Sequence, residues 1–405
     1  MMQGEPGAGS HTLVIPLLNG YAAWFGGQNY IYNMLRCLAR LPADRTPRVF
    51  IYDDGDGAWP DALLACLRFS FVEAVIGTGG KLLYARDARL EAAITALPLA
   101  DRRKVIVGWS TAVVPMPFAI HHMVTTPKHW GWIPDFQHKL LPHMFDAEEI
   151  AARDAAFTAL TDRNGPLLLS SEAARADLLT FYPGVRARTY VWRFASTLMP
   201  EDSADPAQVR AKYDLPQRFF LNPNQFWKHK DHRTLFRALA RLKAAGRPLH
   251  VVATGSGHDA RDPGYYDQLM AEAAALGITD LFRHVGPVPH ADLIALMRTC
   301  MAIVQPSQFE GWSTVVEDAR ALGCPLVASD LPVHREQLDG WGTLFRTGDD
   351  GALADAMLRA ADEIDVQTRM AGEATAARRA VSHQRATAEA LMDCLDRERR
   401  AASGQ

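Results

Sequence analysis

Two acidic residues and a glycine surround the predicted start of a helix in the C-terminal half of the chain. In the segment QPSQFEGWSTVVEDARALGCP (residues 305–325), Glu310 comes just before that helix and Asp318 lies in its second turn, with seven residues between them. Gly311 lets a ligand approach the backbone closely. The first N–H groups of a helix carry partial positive charge, which suits a diphosphate. Because carboxylates accept hydrogen bonds from sugar hydroxyls, the segment predicts a site for a nucleotide sugar.

Glu317 competes with Asp318 for the role of the second acid. The residues from Thr314 to Glu317 (TVVE) have the form of a capping box, in which the glutamate reaches back to the backbone N–H of the threonine. This pattern predicts a structural role for Glu317 and leaves Asp318 for the ligand. Which of the two carboxylates holds the ligand stays open at this point.

A second polar segment supplies positive charge. In FLNPNQFWKHKD (residues 220–231) an apolar strand runs into a turn that contains Asn224, and a helix carrying Lys228 and Lys230 follows. A lysine in this place can neutralise the charge that builds on a departing diphosphate. A solvated basic helix start is the alternative, and which lysine is the main contact stays open.

Glycines mark two further strand ends. Gly255, in VATGSG, follows an apolar strand and permits close passage of a nucleotide, although a plain turn explains it equally well. Near the N-terminus, Gly26, Gly27 and Gln28 follow the first strand and precede a predicted helix. Such a loop can approach a diphosphate, and an ordinary turn at the helix start is the alternative.

The segment WGWIPDFQHKLLPH (residues 130–143) contributes an acid and a histidine at the end of a predicted strand. Asp135 and His138 lie three residues apart. A histidine here can hydrogen-bond a sugar or receive the proton of an acceptor hydroxyl. A buried histidine with a purely structural role is equally consistent with the sequence.

These motifs together resemble those of the retaining glycosyltransferases of family 4, the group 1 glycosyltransferases with the GT-B fold. Glu310 and Asp318 are similar to the two acids of the family's Glu-x7-Glu signature, with Asp in place of the second Glu. The resemblance implies that Glu310 contacts the donor sugar and Asp318 the ribose. It assigns the sugar and the diphosphate to the backbone around four consecutive residues, Gly311, Trp312, Ser313 and Thr314.

The sequence departs from the family at two further positions. Gln225 stands where the family has an Arg, and Lys228 is expected to supply the missing cation. Pro134 stands where the family often has a His. Asp135 keeps the neighbouring acid, and His138 is expected to take the role of the absent histidine.

Short apolar runs alternate with helical patterns along most of the chain, which indicates parallel strands joined by crossover helices. Predicted strands are Thr12–Leu18, Arg48–Tyr52, Phe71–Val75, Lys104–Val107, His122–Thr125, Leu167–Ser170, Phe219–Leu221, Leu249–Ala253, Phe282–Val285, Met301–Val304 and Leu326–Ala328. Predicted helices are Tyr30–Leu41, Glu148–Leu160, Thr234–Ala244, Tyr265–Ala275, Ala291–Thr299 and Thr314–Leu322. The fold class is therefore α/β, with two Rossmann-like domains that face an interdomain cleft.

The predicted domain boundaries follow this pattern. Residues 1–10 form a disordered leader, 11–198 an acceptor domain, 199–212 a linker and 213–378 a nucleotide-sugar domain. Residues 379–405 form a polar helix that packs back on the first domain. A chain of 405 residues suits two domains of this size.

Composition limits the partners. The net charge of -3 gives no argument for nucleic acid, and five scattered cysteines argue against a zinc site, a disulfide framework or an oxidising compartment. No membrane-spanning segment and no signal peptide is recognisable. We expect a cytoplasmic enzyme without a cofactor, with peripheral contact at the inner face of a membrane left open. Its expected partners are a nucleotide diphosphate sugar and a glycan or lipid-linked acceptor.

Three other functions compete with this one. Asp54-Gly55-Asp56 is an Asp-x-Asp triplet of the kind that binds a divalent metal in the other glycosyltransferase fold, and inactivation by a chelator would favour it. A sugar-nucleotide epimerase or hydrolase would share the GT-B fold. A non-catalytic nucleotide-sugar-binding subunit would bind the donor without turnover.

Overall fold

The computed structural model describes residues 11–17, 25–53, 61–114, 128–365, 370 and 372–403. The chain divides into two compact units. The first comprises Met1–Lys139, Asp146–Ala195 and Ser382–Gln405, and the second comprises Leu140–Phe145 and Ser196–Val381. Both units consist of mainly parallel sheets with helices in the connections, which confirms the predicted α/β class.

The first unit contains strands that form two sheets. They are β1 (Thr12–Leu17), β2 (Arg48–Asp53), β3 (Val72–Ile76), β4 (Leu82–Ala85), β5 (Ala112–Val113), β6 (Gly131–Ile133), β7 (Pro166–Leu169) and β8 (Arg188–Val191). The orders are β4-β3-β2-β1-β5 and β6-β7-β8, and within the described residues only the β3–β4 pair is antiparallel. A parallel bridge from Val113 to His129 links the two sheets.

Helices connect these strands. They are α1 (Phe25–Leu38), α2 (Asp61–Cys66), α3 (Ala88–Thr95), α4 (Leu99–Trp109), α5 (Gln137–Leu140), α6 (Ala147–Thr161) and α7 (Glu172–Phe181). The core of the five-stranded sheet buries Val14, Phe50 and Ile76 together with Ile106 of α4.

Two expectations for this half are wrong. Residues 104–107 lie inside α4 and form no strand, because an apolar run this short fits a buried helix face as well as a strand. Gly26 and Gly27 lie in the first turn of α1, which begins at Phe25 and not at Tyr30. A glycine costs a helix only about 1 kcal/mol relative to alanine. Residues 1–10, Asp54-Gly55-Asp56 and the predicted strand at 122–125 lie outside the described residues.

The second unit has one sheet of six parallel strands. They are β9 (Phe220–Pro223), β10 (Val251–Thr254), β11 (Phe282–His284), β12 (Ile303–Gln305), β13 (Leu326–Ser329) and β14 (Thr343–Phe345). The order β11-β10-β9-β12-β13-β14 places the first strand beside the fourth. In an open parallel sheet, ligands bind where the strand order reverses, beyond the carboxyl ends of the two central strands. Those strands are β9 and β12.

The helices of this unit are α8 (Pro206–Lys212), α9 (His232–Ala244), α10 (Tyr265–Ala275), α11 (His290–Thr299), α12 (Thr314–Ala321), α13 (Pro332–Leu338) and α14 (Asp350–Glu363). Apolar side chains fill both faces of the sheet, with Phe220 and Val304 on one side and Leu221 and Ile303 on the other. The sheet is thus buried on both faces, as parallel sheets are.

The last helix, α15 (Glu373–Ser403), begins in the second unit, and its residues from Ser382 onward belong to the first. There Glu398 accepts hydrogen bonds from Arg188 Nε at 2.9 Å and from the Tyr190 hydroxyl at 2.8 Å. The Trp192 indole donates to the Thr387 carbonyl at 2.9 Å. Within the described part of the chain, no helix is long and apolar enough to cross a bilayer.

Candidate functional site

Side-chain amides lie at the carboxyl ends of β9 and β12, where the strand order of the second unit reverses. Asn222 in β9 donates to the Val304 carbonyl of the neighbouring strand at 2.8 Å. Asn224 donates to Oε1 of Gln305 at 2.7 Å, and both side chains are buried. Because a buried amide is costly unless it is hydrogen-bonded, these bonds fix the loops that leave the two strands.

Glu310 lies at the centre of this region. Its Oε1 accepts three hydrogen bonds, each 2.7 Å long, from Lys230 Nζ, Gln305 Nε2 and Ser307 Oγ. Lys230 and Glu310 are 80 residues apart in the chain, and the fold brings them together. Among the described residues Oε2 has no recorded hydrogen-bond donor, which leaves it open to a ligand hydroxyl.

The Glu310 carboxyl is ionised in this environment. Burial acts to raise its pKa, but the charge of Lys230, followed by His229 and His334, outweighs burial and lowers the pKa to about 2. The Lys230 and Glu310 side chains are 13% and 9% exposed, so the ion pair is shielded from solvent screening yet not sealed off. The pair is therefore a fixed dipole at the end of the sheet.

The two lysines of the basic segment have different partners. Lys228 Nζ lies 2.8 Å from Asp262, with 44% of its side chain exposed. The structure therefore separates Lys228 from the bonds around Glu310. Gln225 stands where the family that the sequence resembles has an Arg. It accepts a hydrogen bond from the Ser256 N–H at 2.7 Å. Its amide holds the glycine loop after β10.

Gly255 lies in that loop in a conformation that requires glycine. Its φ is +103°, and a Cβ here would lie 2.4 Å from the carbonyl oxygen of Asn224. The His284 ring donates through Nε2 to the Gly255 carbonyl at 2.9 Å and accepts at Nδ1 from the Tyr266 hydroxyl at 2.8 Å. The loop backbone thus passes close to the end of β9 and is held there by side chains.

Gly255→Ala is expected to lower the free energy of unfolding by about 2 kcal/mol or more, because it adds a backbone clash to an unfavourable φ. Gly246→Ala is the matched control. Its φ is also positive, at +70°, but nothing lies within 4 Å of an added Cβ. Urea denaturation of both variants measures the difference, and equal losses would contradict a close approach at Gly255.

The start of α12 differs from the predicted capping box. Ser313 is the N-cap residue, and its side chain makes no capping hydrogen bond. The first intrahelical bond joins Glu317 N to the Ser313 carbonyl at 3.2 Å. Glu317 instead accepts from Gln337 Nε2 at 3.1 Å. With Glu317 bound there, the expected bond from Glu317 to Thr314 is absent among the described contacts.

Asp318 lies on the buried side of α12 and is 8% exposed. Burial raises its pKa to about 7, the charge of Glu317 adds to this effect, and a hydrogen bond with Ser196 opposes it. A carboxyl that titrates near neutral pH can switch between donating and accepting hydrogen bonds. Perturbation of this kind is common at functional sites.

Asp318→Asn is expected to stabilise the fold in alkaline solution by about 1–3 kcal/mol. The ordinary pKa is 3.8 and the folded value is about 7, so between these values the folded chain retains a proton that the unfolded chain has lost. Stability therefore falls as the pH rises through this window and levels off above it. Melting curves at pH 4 and pH 8 measure the effect. We expect no difference at pH 4 and a higher Tm for the variant at pH 8; equal Tm values at pH 8 would contradict the raised pKa.

In the first unit, the surroundings of His138 favour a structural role for this residue. Its side chain is 1% exposed, and Nε2 lies 3.0 Å from Asp154, which also binds Lys139 Nζ at 2.7 Å and the Tyr182 hydroxyl at 3.0 Å. Burial lowers the pKa of His138, although Asp154 opposes that shift. This geometry favours the structural alternative, because a ligand has almost no access to the ring.

Asp135 and the N-terminal glycines have no demonstrated ligand contact. Asp135 Oδ1 accepts from the Gln137 N–H at 3.0 Å and so starts α5. Gly26, Gly27 and Gln28 belong to the first turn of α1. Their assignment to a ligand stays a prediction.

Three residues of the site were missed by sequence reasoning: Gln305, Ser307 and Gln337. Gln305 and Ser307 lie in the quoted segment, and a glutamine that ends an apolar strand is a usable signal because buried polar groups need partners. Gln337 gives no such signal, since its contact with α12 arises only when α13 packs there. No group of three His, Cys, Asp or Glu side chains suited to a metal occurs in the described ranges.

Most of the second unit is similar to a known protein family. Residues 207–376 match the family described as Glycosyl transferases group 1. A D-inositol 3-phosphate glycosyltransferase of Frankia alni is 30% identical over 243 residues, which cover 56% of this chain and 55% of that protein. The chain spans about half of the length of the first relatives it matches.

Two solved structures share the fold over nearly the whole chain. Sucrose-phosphate synthase from Thermosynechococcus elongatus has a TM-score of 0.65 at 16% identity and covers 97% of this chain and 100% of its own. Anabaena Alr3699/HepE, solved in complex with UDP and glucose, has a TM-score of 0.63 at 15% identity and covers 95% and 99%. The chain thus has an α/β fold of the GT-B kind, and its residues 207–376 are similar to the Glycosyl transferases group 1 family.

Proposed function

We propose that the chain is a metal-independent, retaining glycosyltransferase that moves a sugar from a nucleoside diphosphate sugar to a glycan or lipid-linked acceptor. The observation that carries this proposal is the ionised Glu310, which is held by Lys230 at the carboxyl end of β12, three residues before the N-cap of an eight-residue helix. This region combines a carboxylate that accepts hydrogen bonds from hydroxyls, a cation and free helix N–H groups. A sugar diphosphate needs all three.

The donor sugar and its diphosphate contact different atoms of this region. Glu310 Oε2 accepts a hydrogen bond from a hydroxyl of the donor sugar, while Oε1 stays bound to its three protein donors. The diphosphate binds the first N–H groups of α12, which have no intrahelical acceptor. Ser313 Oγ is a further donor for it, because this atom is buried and has no hydrogen-bond partner among the described residues.

The reaction breaks the bond between the anomeric carbon of the sugar and a diphosphate oxygen. Lys230 and the start of α12 stabilise the negative charge that develops on the leaving diphosphate. The acceptor hydroxyl attacks from the face that the diphosphate leaves, so the configuration is retained. A diphosphate oxygen takes the proton of the acceptor hydroxyl, which balances the step without a protein base.

The nucleoside lies against the loops beyond Gly255 and Asp318. Asp318 accepts hydrogen bonds from the ribose when ionised, so donor affinity rises with pH through about 7. The solved complex of Alr3699/HepE with UDP and glucose supports a nucleotide-sugar donor. The first unit holds the acceptor, and the protein acts in the cytoplasm or at the inner face of a membrane.

A thermal-shift panel of UDP-, GDP- and ADP-sugars tests the proposal, followed by a transfer assay with the donor that raises Tm most. Binding to the folded state raises Tm, and the rise grows with ligand concentration and affinity. Activity that survives a chelator supports a metal-independent reaction. Donor binding without turnover or hydrolysis would favour a non-catalytic binding subunit, and stabilisation by none of the donors would refute the site.

A further inference from the structure

Gln337 of α13 is fully buried and directs its whole amide at the first turn of α12. Its Oε1 accepts from the Ser313 N–H at 3.0 Å. Its Nε2 donates to the Ser313 carbonyl at 3.0 Å and to Glu317 Oε1 at 3.1 Å. One side chain thus bonds both the N–H and the carbonyl of the N-cap residue, and it also bonds the Glu317 carboxylate.

These contacts exclude another arrangement that the sequence allows. The residues from Thr314 to Glu317 carry the capping-box pattern, in which Glu317 would cover the N–H group of Thr314. In the structure Glu317 is 1% exposed and bound to Gln337, and Ser313 makes no side-chain cap. The N–H groups of the first turn therefore stay uncovered by the residues that would ordinarily cap them.

A buried polar atom at the same place indicates what the uncovered turn is for. Ser313 Oγ has no hydrogen-bond partner within the described part of the chain, although the residue is only 2% exposed. A serine at an N-cap normally bonds the N–H groups of its own helix. A buried hydroxyl without such a bond, beside N–H groups without acceptors, requires an acceptor from outside the helix.

We propose that Gln337 is a positioning residue that keeps the start of α12 open for the diphosphate of the donor. It does so by holding Glu317 away from the helix start. Without Gln337, Glu317 turns back to the Thr314 N–H and places a negative charge where the diphosphate binds. The inference rests on the proposed function, and it adds a residue of α13 that never contacts the donor.

Calorimetric titration of the full chain with UDP, GDP, ADP and the matching nucleosides tests this inference. Gln337→Met keeps the side-chain length and removes all three hydrogen bonds. We expect it to weaken binding of the preferred nucleoside diphosphate by about tenfold or more, while affinity for the nucleoside, which lacks phosphates, stays within about twofold. In the transfer assay KM for the donor rises and kcat changes little.

The double variant Gln337→Met with Glu317→Met separates positioning from simple stabilisation. Replacing both partners of a buried hydrogen bond by apolar groups of similar shape can be nearly neutral, and methionine cannot cap the helix. We expect the double variant to bind the nucleoside diphosphate within about threefold of wild type. Thermal melts confirm that each variant is folded.

The outcomes separate this inference from the proposed function. If wild type binds a nucleoside diphosphate and Gln337→Met binds it equally well, the inference fails and the function stands. A double variant as weak as Gln337→Met would also overturn it, because Glu317 would then not be the competitor. If wild type binds none of the three nucleoside diphosphates, the proposed function fails, and the inference fails with it.

Discussion

Glu310→Gln is expected to lower kcat for sugar transfer by about a hundredfold or more, with the fold intact. Glutamine keeps the shape of the side chain and an acceptor oxygen for Lys230, but it removes the negative charge. The atom in the place of Oε2 then becomes a weaker acceptor or a donor, so it no longer holds a sugar hydroxyl in the same way. Initial rates at saturating donor measure the loss, and far-ultraviolet circular dichroism checks the fold.

A graded control distinguishes loss of the charge from general disturbance of the loop. Ser307→Ala removes one of the three donors to Glu310 Oε1 and leaves the charge and Lys230 in place. We expect a smaller decrease in kcat than for Glu310→Gln, because the carboxylate keeps its charge and two of its three donors. Turnover of Glu310→Gln at the level of wild type would refute the site assignment as a whole.

The same substitution has a second effect, on stability in acid. The folded pKa of Glu310, about 2, lies below its ordinary value of 4.5, so ionised Glu310 stabilises the fold above that value. This contribution, of about 3 kcal/mol at most, is lost as the pH falls from 4.5 towards 2. We expect the Tm gap between wild type and Glu310→Gln to narrow over this range. A constant gap would show that Glu310 is not held as an anion.

The fold class and the centre of the site were accessible from the sequence because each depends on local patterns. Alternating apolar runs predicted the parallel sheets, and Tyr265–Ala275 was placed with both ends correct. Glu310 and Lys230 each follow a central strand, and the strand order brings those two strands together. Chemistry at strand ends is predictable since the carboxyl ends of parallel strands meet at one edge.

Other features could not be predicted because they depend on packing between distant segments. The capping box failed because Gln337, 24 residues after Ser313, binds Glu317. His138 could be a ligand or a core residue on its sequence alone, and only the placement of Asp154 on α6 decides between them. A buried polar side chain has no local pattern when its partner comes from another element.

Because Lys230 and Lys228 have different partners, their substitutions are expected to differ strongly in kcat. Lys230→Ala is expected to lower kcat by about a hundredfold, whereas Lys228→Ala should stay within about threefold of wild type. Lys230 binds the buried Glu310, and in the proposed reaction it stabilises the charge that develops on the leaving diphosphate. Lys228 forms a half-exposed pair with Asp262, and exposed pairs contribute at most about 1 kcal/mol. The two substitutions remove the same charge two positions apart, so each controls for the other.

The pH dependence of the residual activity shows how Lys230 acts. Its charge is the main influence that opposes burial at Glu310, so its removal raises the pKa of Glu310. If transfer requires ionised Glu310, kcat of Lys230→Ala at saturating donor declines at a higher pH than kcat of wild type when the pH is lowered. Lys230→Arg retains the charge and should keep the wild-type profile. Parallel pH profiles for Lys230→Ala and wild type would mean that Lys230 acts on the diphosphate alone. Equal losses of kcat in Lys228→Ala and Lys230→Ala would mean that the different partners of the two lysines have no functional consequence.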